Sequence, residues 1–244
     1  LVKPDRFVQK VVSAYEERRG VFANKVNAED HLPKDFSDLE KALFLFYVIQ
    51  LDYATKSQRL YEGAKNLVKE NPQAFRSQHI SDLDDSELKS HLEKLSPRYI
   101  NEAVTRYKKN TGKLLDEYDG DPRNLFEKAK TAKEAVSLTR EFRGFGPKIG
   151  NFFVRTMLNT FGYDYPDIEN ILPPVDRHDV HIAYLMGYVG SNEMTERNVK
   201  RVKRLWSTAC LEAGVSWLTF DKALWLLGSE GQPSASREII ELIS

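Results

Sequence analysis

Residues 142–161 read Phe142-Arg143-Gly144-Phe145-Gly146-Pro147-Lys148-Ile149-Gly150, followed by NFFVRTMLNTF. In the second part Ile149, Phe152, Phe153, Thr156 and Met157 fall at i, i+3, i+4, i+7 and i+8. That spacing is one face of an α-helix. The residues before it, Thr131 to Phe142, also read as a helix. Two helices are thus joined by a Gly-x-Gly hairpin. Its glycines permit positive φ and a close backbone approach. Pro147 suits the first helical turn, where its missing N–H costs nothing. The amides at the start of the second helix are a ready anion site, suited to a phosphate. Standing alone, the pattern is equally that of an ordinary αα-corner.

Working outward, the periodicity stays helical. Asp5 to Arg19 carries Phe7, Val8, Val11, Val12 and Tyr15 on one face. Ser37 to Asp52 opens with a Ser-x-x-Glu capping box, Ser37 and Glu40, and its apolar middle marks a buried central helix. Helices are also expected over 57–70, 85–95, 99–118, 178–186, 196–212 and 216–227. Gly162 to Pro174 holds three prolines and reads as a loop. No alternating run exceeds four residues, so no sheet is expected. The fold class is all-α, with about a dozen short helices and two lobes. The lobes are expected at 36–142, with the hairpin 142–161 at the junction, and at 1–35 plus 162–244.

Composition bounds the function. The chain has 244 residues and 41% hydrophobic content, enough for a real core and too apolar for a disordered chain. Its most apolar stretch, Ala42 to Leu51, is half the roughly 20 residues of a membrane span. Cys210 is the only cysteine, so a disulfide framework and a cysteine-bound cluster are excluded. The N-terminus carries Lys3, Asp5, Arg6 and Lys10 where a signal peptide would be apolar. A cytoplasmic, soluble protein without a membrane partner is expected. Lys+Arg 36 balance Asp+Glu 36. That zero net charge resolves into unlike stretches. Asp82, Asp84, Asp85, Glu87 and Glu93 are acidic; Arg98, Arg106, Lys108, Lys109 and Lys113 face only Glu102; Arg197, Lys200, Arg201, Lys203 and Arg204 make a second basic run.

A second motif follows the hairpin: Pro174-Val175-Asp176, then His178. Gly144, Gly146 and Lys148 followed by Pro-Val-Asp-x-His resemble the signature of the helix-hairpin-helix DNA glycosylase superfamily. Two linked motifs in the right order are far more specific than either alone. Within it the chain is most similar to the archaeal GO glycosylase family, over roughly 144–228. The long interval between Lys148 and Asp176, and Asp221 and Trp225 leading into Leu227-Gly228, carry that likeness. The hairpin glycines, usually degenerate in that family, are intact here. The family's stacking Trp is absent from 57–66, where Gln58-Arg59-Leu60-Tyr61 stand, so Tyr61 or Tyr53 would take its place or the pocket differs.

The resemblance implies a two-lobed fold with a cleft between the lobes and a bifunctional 8-oxoguanine DNA glycosylase and lyase, acting as a monomer on double-stranded DNA. Lys148 is the implied nucleophile and Asp176 the carboxylate that stabilises positive charge at C1′. A lysine amine attacks only when neutral, which partial burial and a helix N-terminus favour. Gly144, Gly146, Gly150 and His178 would hold phosphates. Asp221, Trp225, Gln50 and Tyr61 would line the base pocket. No organic cofactor, side-chain metal site or iron–sulfur cluster is implied; a monovalent cation on the hairpin carbonyls is. Plainer readings stand beside these. Asp176 could cap the next helix, Lys148 and His178 could be surface residues, Trp225 a core aromatic and Gln50 a buried, satisfied amide. Cys210 reads as inert packing. The same chemistry on an oxidised pyrimidine or alkylated purine is one alternative. A non-catalytic DNA-binding module is another, against which the pairing of Lys148 with Asp176 argues.

Overall fold

The computed structural model describes residues 2–23, 27–52, 55–168 and 175–244. Among the described residues the chain is all-α, with no strand. Its α-helices are α1 (Pro4–Glu16), α2 (Asp38–Ile49), α3 (Ser57–Glu70), α4 (Ser77–Asp82), α5 (Asp85–Glu93), α6 (Ile100–Tyr118) and α7 (Arg123–Lys128). They continue as α8 (Ala132–Arg140), α9 (Pro147–Phe161), α10 (Arg177–Leu185), α11 (Glu196–Ala213), α12 (Trp217–Ser229) and α13 (Ser236–Leu242). Short 3-10 turns lie at Gly20–Phe22 and Ala28–His31. Helices α4, α7 and α13 were not expected. Each is at most seven residues long, too short to carry a periodicity of its own. No described helix is long and apolar enough to cross a membrane.

The chain divides into two compact units, one of residues 1–25 with 169–244 and one of 26–168. In the second, the turn Ala28–His31 packs on α2, α3 and α9, so 26–35 belongs with the hairpin. Helix α2 is the axis of this unit. Ser37 and Glu40 close the expected capping box at its start. Every residue from Ala42 to Ile49 is buried. Phe46 meets Phe142, Phe145 and Phe153 at ring distances of 5.2, 5.4 and 5.8 Å. Burying one such ring contributes about 2 kcal/mol, so this cluster seats the hairpin firmly on α2. Asp167 reaches back across the chain to cap α8, accepting from the amides of Ala132 at 2.6 Å and Lys133 at 3.1 Å.

In the first unit α1 packs on α11 and α12, and α10 packs on α11, α12 and α13. Phe7 stacks on Trp206 at 5.8 Å, and Phe220 lies 5.3 Å from the same ring. Thr195 caps the start of α11, and Gly214 ends it in the left-handed region at φ 65°. Cys210 is buried on the packed face of α11.

Candidate nucleic-acid interface and active site

The hairpin is built by the residues beneath it. Gly144 stands at φ 87°, a conformation that favours glycine. A Cβ there would lie 2.5 Å from Arg106 Nε. Asn110 holds the preceding residue from both sides. Its amide group donates to Arg143 O at 2.9 Å, and its oxygen accepts from the Arg143 N–H at 2.8 Å. Gly150 allows α9 to close on the hairpin, since a Cβ would sit 2.9 Å from Phe145 O. Gly146 differs from its partner. Its backbone is extended (φ −68°, ψ −172°), and a Cβ would meet nothing within 4 Å. Only one of the two glycines is therefore needed for backbone conformation. The other leaves an open face. The N-cap of α9 is Gly146, which has no side chain to offer as a cap, so the helix start stands behind an open backbone face.

Lys148 occupies the first turn of α9, and its side chain is exposed. The partial burial expected for it is not found, because the apolar stripe of α9 turns Ile149 and Phe153 inward and Lys148 outward. A carboxylate not singled out in the sequence lies within reach of its charge. Asp52 follows α2 and is partly buried; Ser57 Oγ donates to its Oδ1 at 2.8 Å and Tyr61 OH to its Oδ2 at 2.5 Å. Burial pushes the Asp52 carboxyl above its usual range, against the pull of those two hydroxyls and of Lys148.

Two expected pocket residues are placed otherwise. Tyr61 is only 1% exposed, its hydroxyl is engaged by Asp52 and its ring lies 5.4 Å from His31. Its face is covered and cannot stack on a base. Gln50 is fully buried and satisfied, donating to Phe46 O at 3.2 Å and accepting from Asn110 at 3.0 Å. It ties the hairpin support to α2. Tyr53 and Pro174 lie outside the described residues.

In the other unit Asp176 is the N-cap of α10. Its Oδ1 accepts from the amides of His178 at 2.7 Å and Asp179 at 3.3 Å, while Asp179 accepts from the Asp176 amide at 2.6 Å. The cap therefore uses the His178 amide, while the His178 side chain is half-buried. His178 presses on α12, where a Cβ at Gly228 would lie 2.5 Å from the His178 Cβ. Asp221 is buried on α12, and Trp225, one turn on, is half-buried.

The basic run on α6 is less free than its composition suggests. Lys108 pairs with Asp85, Lys113 with Glu117 and Glu141, and Arg106 with Glu102, to which the hairpin residue Arg143 also bonds. Arg106 also donates to Gln50 O. Lys109 and Arg140 have no ion-pair partner among the described residues, and both line an open concavity of about 520 Å³ along the hairpin.

Sequence reasoning missed Asn110, Arg106 and Asp52. Asn110 and Thr111 had a signal: they interrupt the apolar face of α6 that Tyr107 and Leu114 define. A polar residue in such a place is there for a partner. Arg106 had none, since it meets Gln50 and Gly144 more than 35 positions away; Asp52 binds Ser57 and Tyr61 five and nine positions on, in no recognisable motif. In the comparisons with known proteins, no family model matches the chain and no curated protein matches it significantly.

Proposed function

We propose that the protein is a base-excision DNA glycosylase and lyase of the helix-hairpin-helix type, with 8-oxoguanine as its substrate base. The observation that carries this reading is the hairpin itself. A helix start on a glycine N-cap, the open space at Gly146 and an exposed Lys148 fall within three residues of one another. An ordinary αα-corner needs none of the three.

A base inside a duplex cannot be reached, so its nucleotide must be turned out, at a cost of a few kcal/mol. The hairpin amides would hold the strand by its phosphate and fix the register. The Lys148 amine, when neutral, attacks C1′ and the base departs with the bonding electron pair. The adduct opens to a Schiff base, and loss of the 3′ phosphate by β-elimination cuts the strand. Asp176 would stabilise the positive charge that develops at C1′, which requires a carboxylate. Its capping bonds fit that task, since they fix the carboxylate before substrate arrives. The carbonyls of Phe142, Arg143 and Gly146 each accept one hydrogen bond and keep a second lone pair. They would hold the monovalent cation that the resemblance implies, whose charge would favour a bound phosphate. Tyr61 and Gln50 leave the base pocket in this reading, and Asp221 with Trp225 remain.

Borohydride trapping on a panel of single-lesion duplexes tests the proposal. Wild type is expected to form a covalent complex with the 8-oxoguanine duplex, and Lys148→Gln none. Asp176→Asn keeps a good N-cap and loses the charge. It should trap at least about a hundredfold less while melting like wild type. Equal trapping by Lys148→Gln would refute the mechanism. Trapping only on an oxidised pyrimidine or alkylated purine would keep the chemistry and change the base. Salt-dependent binding without any trapping would favour a DNA-binding module.

A further inference from the structure

Helix α11 carries a ridge of cations that its packing does not explain. Arg197, Lys200, Arg201 and Arg204 stand at i, i+3, i+4 and i+7, and all four are exposed. The face opposite them is core: Val202, Trp206 and Ala209 are each at most 1% exposed. Those residues need a helix here, but no cation on its far side. A helix face that is merely solvated mixes its signs and pairs them, as α6 does through Asp85, Glu102 and Glu117. On the ridge of α11 only Lys200 is paired, to Glu196 at 2.6 Å, while Arg197, Arg201 and Arg204 have no ion-pair partner among the described residues. The arrangement opposes the helix in two ways. Like charges three and four residues apart repel each other, and Arg197 lies in the first turn, at the positive end of the helix dipole.

Arg197 and Arg204 are separated by about 10 Å of helix. That reach suits about two or three successive phosphates on one strand of a duplex. Guanidinium groups fit phosphate oxygens, each offering parallel N–H donors. A protein partner requires an aromatic or aliphatic anchor amid the charges; the exposed apolar residues Met194 and Leu211 stand beyond either end of the arginines. A lipid surface requires an apolar helix face to enter the bilayer, and that face of α11 is consumed in the core. We infer that the ridge of Arg197, Arg201 and Arg204 is a second binding surface for the backbone of duplex DNA, on the unit that does not carry the hairpin. The inference rests on DNA being the partner and not on the glycosylase chemistry. Phosphate contacts carry no sequence information, so the ridge serves damaged and undamaged duplexes alike.

The test follows binding of the full chain to an undamaged duplex by fluorescence anisotropy across a salt series. Arg197→Gln, Arg201→Gln and Arg204→Gln together should lower the slope of log affinity against log salt by about 3, one counterion for each lost phosphate contact. The same three positions changed to Lys keep their charges and should keep the slope. A second triple, Lys3→Gln, Lys10→Gln and Arg237→Gln, removes the same charge from exposed sites elsewhere in that unit and should leave the slope unchanged. The arginine-to-glutamine triple touches no core residue and relieves repulsion, so it should melt like wild type or above it. An unchanged slope in that triple overturns the inference. So does an equal fall in the second triple, which would make the effect one of net charge, and so does absence of duplex binding by wild type. Loss of binding to phosphatidylserine vesicles with the duplex slope intact overturns it in favour of a lipid surface. The glycosylase reading fails separately, by absence of wild-type trapping on lesion duplexes, whatever the slope shows.

Discussion

At the scale of single residues, the two hairpin glycines look alike in the chain and do different work. Gly144 takes a backbone angle that other residues rarely adopt, and it lies against Arg106. Gly144→Ala should destabilise the protein by about 1–3 kcal/mol, from strain and the displaced guanidinium. Gly146→Ala meets no atom and keeps an ordinary extended backbone, so its stability should stay within about 0.5 kcal/mol of wild type. If a phosphate approaches the open face of Gly146, the same variant should bind duplex DNA more weakly. Urea denaturation and fluorescence anisotropy separate the two effects; a large stability loss in Gly146→Ala contradicts this assignment. The glycines were legible as a hairpin in the sequence. Which of them serves the fold and which leaves space was not, because that depends on atoms brought in from α6.

At the scale of elements, most basic residues of α6 settle into pairs, and what is left over is the useful part. Lys109 and Arg140 flank the hairpin concavity without ion-pair partners among the described residues. A double Lys109→Gln, Arg140→Gln variant should lower the slope of log affinity against log salt for duplex DNA by about 2, one released counterion for each lost phosphate contact. Lys108→Gln, whose wild-type lysine is held by Asp85, should leave the slope unchanged. Helix α5 carries a different device. Burial pushes the His91 imidazole down to about 4, helped by the charges of His79 and Lys94. Its Nε2 is buried without a hydrogen-bond partner among the described residues. The fold therefore holds the neutral ring. Its folded value lies below the unfolded one, so the associated stability is full above about pH 6.5 and is lost as pH falls toward about 4. Unfolding free energies from urea titrations should drop through that window by on the order of 2 kcal/mol from this group. His91→Leu should remove that part of the pH dependence and leave the carboxylate-driven loss at lower pH.

At the scale of the whole molecule, zero net charge is an average over faces that cancel by contact as well as by number. The acidic stretch at 82–87 does not merely offset the basic helices. Asp84 caps α5, accepting from Ser86 and Glu87 at 2.8 Å each, and Asp85 takes Lys108 out of play. The division into units also has a consequence. Residues 26–168 are continuous in the chain and contain α2, its aromatic shell and the complete hairpin. Expressed alone, that segment should melt cooperatively and bind duplex DNA through the hairpin. A segment without a cooperative transition would mean that the second unit depends on the first for its core.

The helices of nine residues or more, the capping box at Ser37, the hairpin and the order of its two motifs were determined by the sequence alone. They are local: periodicity, cap chemistry and glycine spacing act within a few residues, so they can be read in a line. The lengths of the shortest helices could not be read, because packing rather than propensity forms them. The tertiary structure decided which polar residues are spent on support and which remain available. Gln50 and Tyr61 are consumed beneath the surface, Asn110 and Arg106 hold the hairpin, and Asp52 binds the hydroxyls of Ser57 and Tyr61. Hydrogen bonds and charges act over a few ångströms of space and not along the chain, so partners 30 to 60 positions apart become neighbours only when the helices have packed.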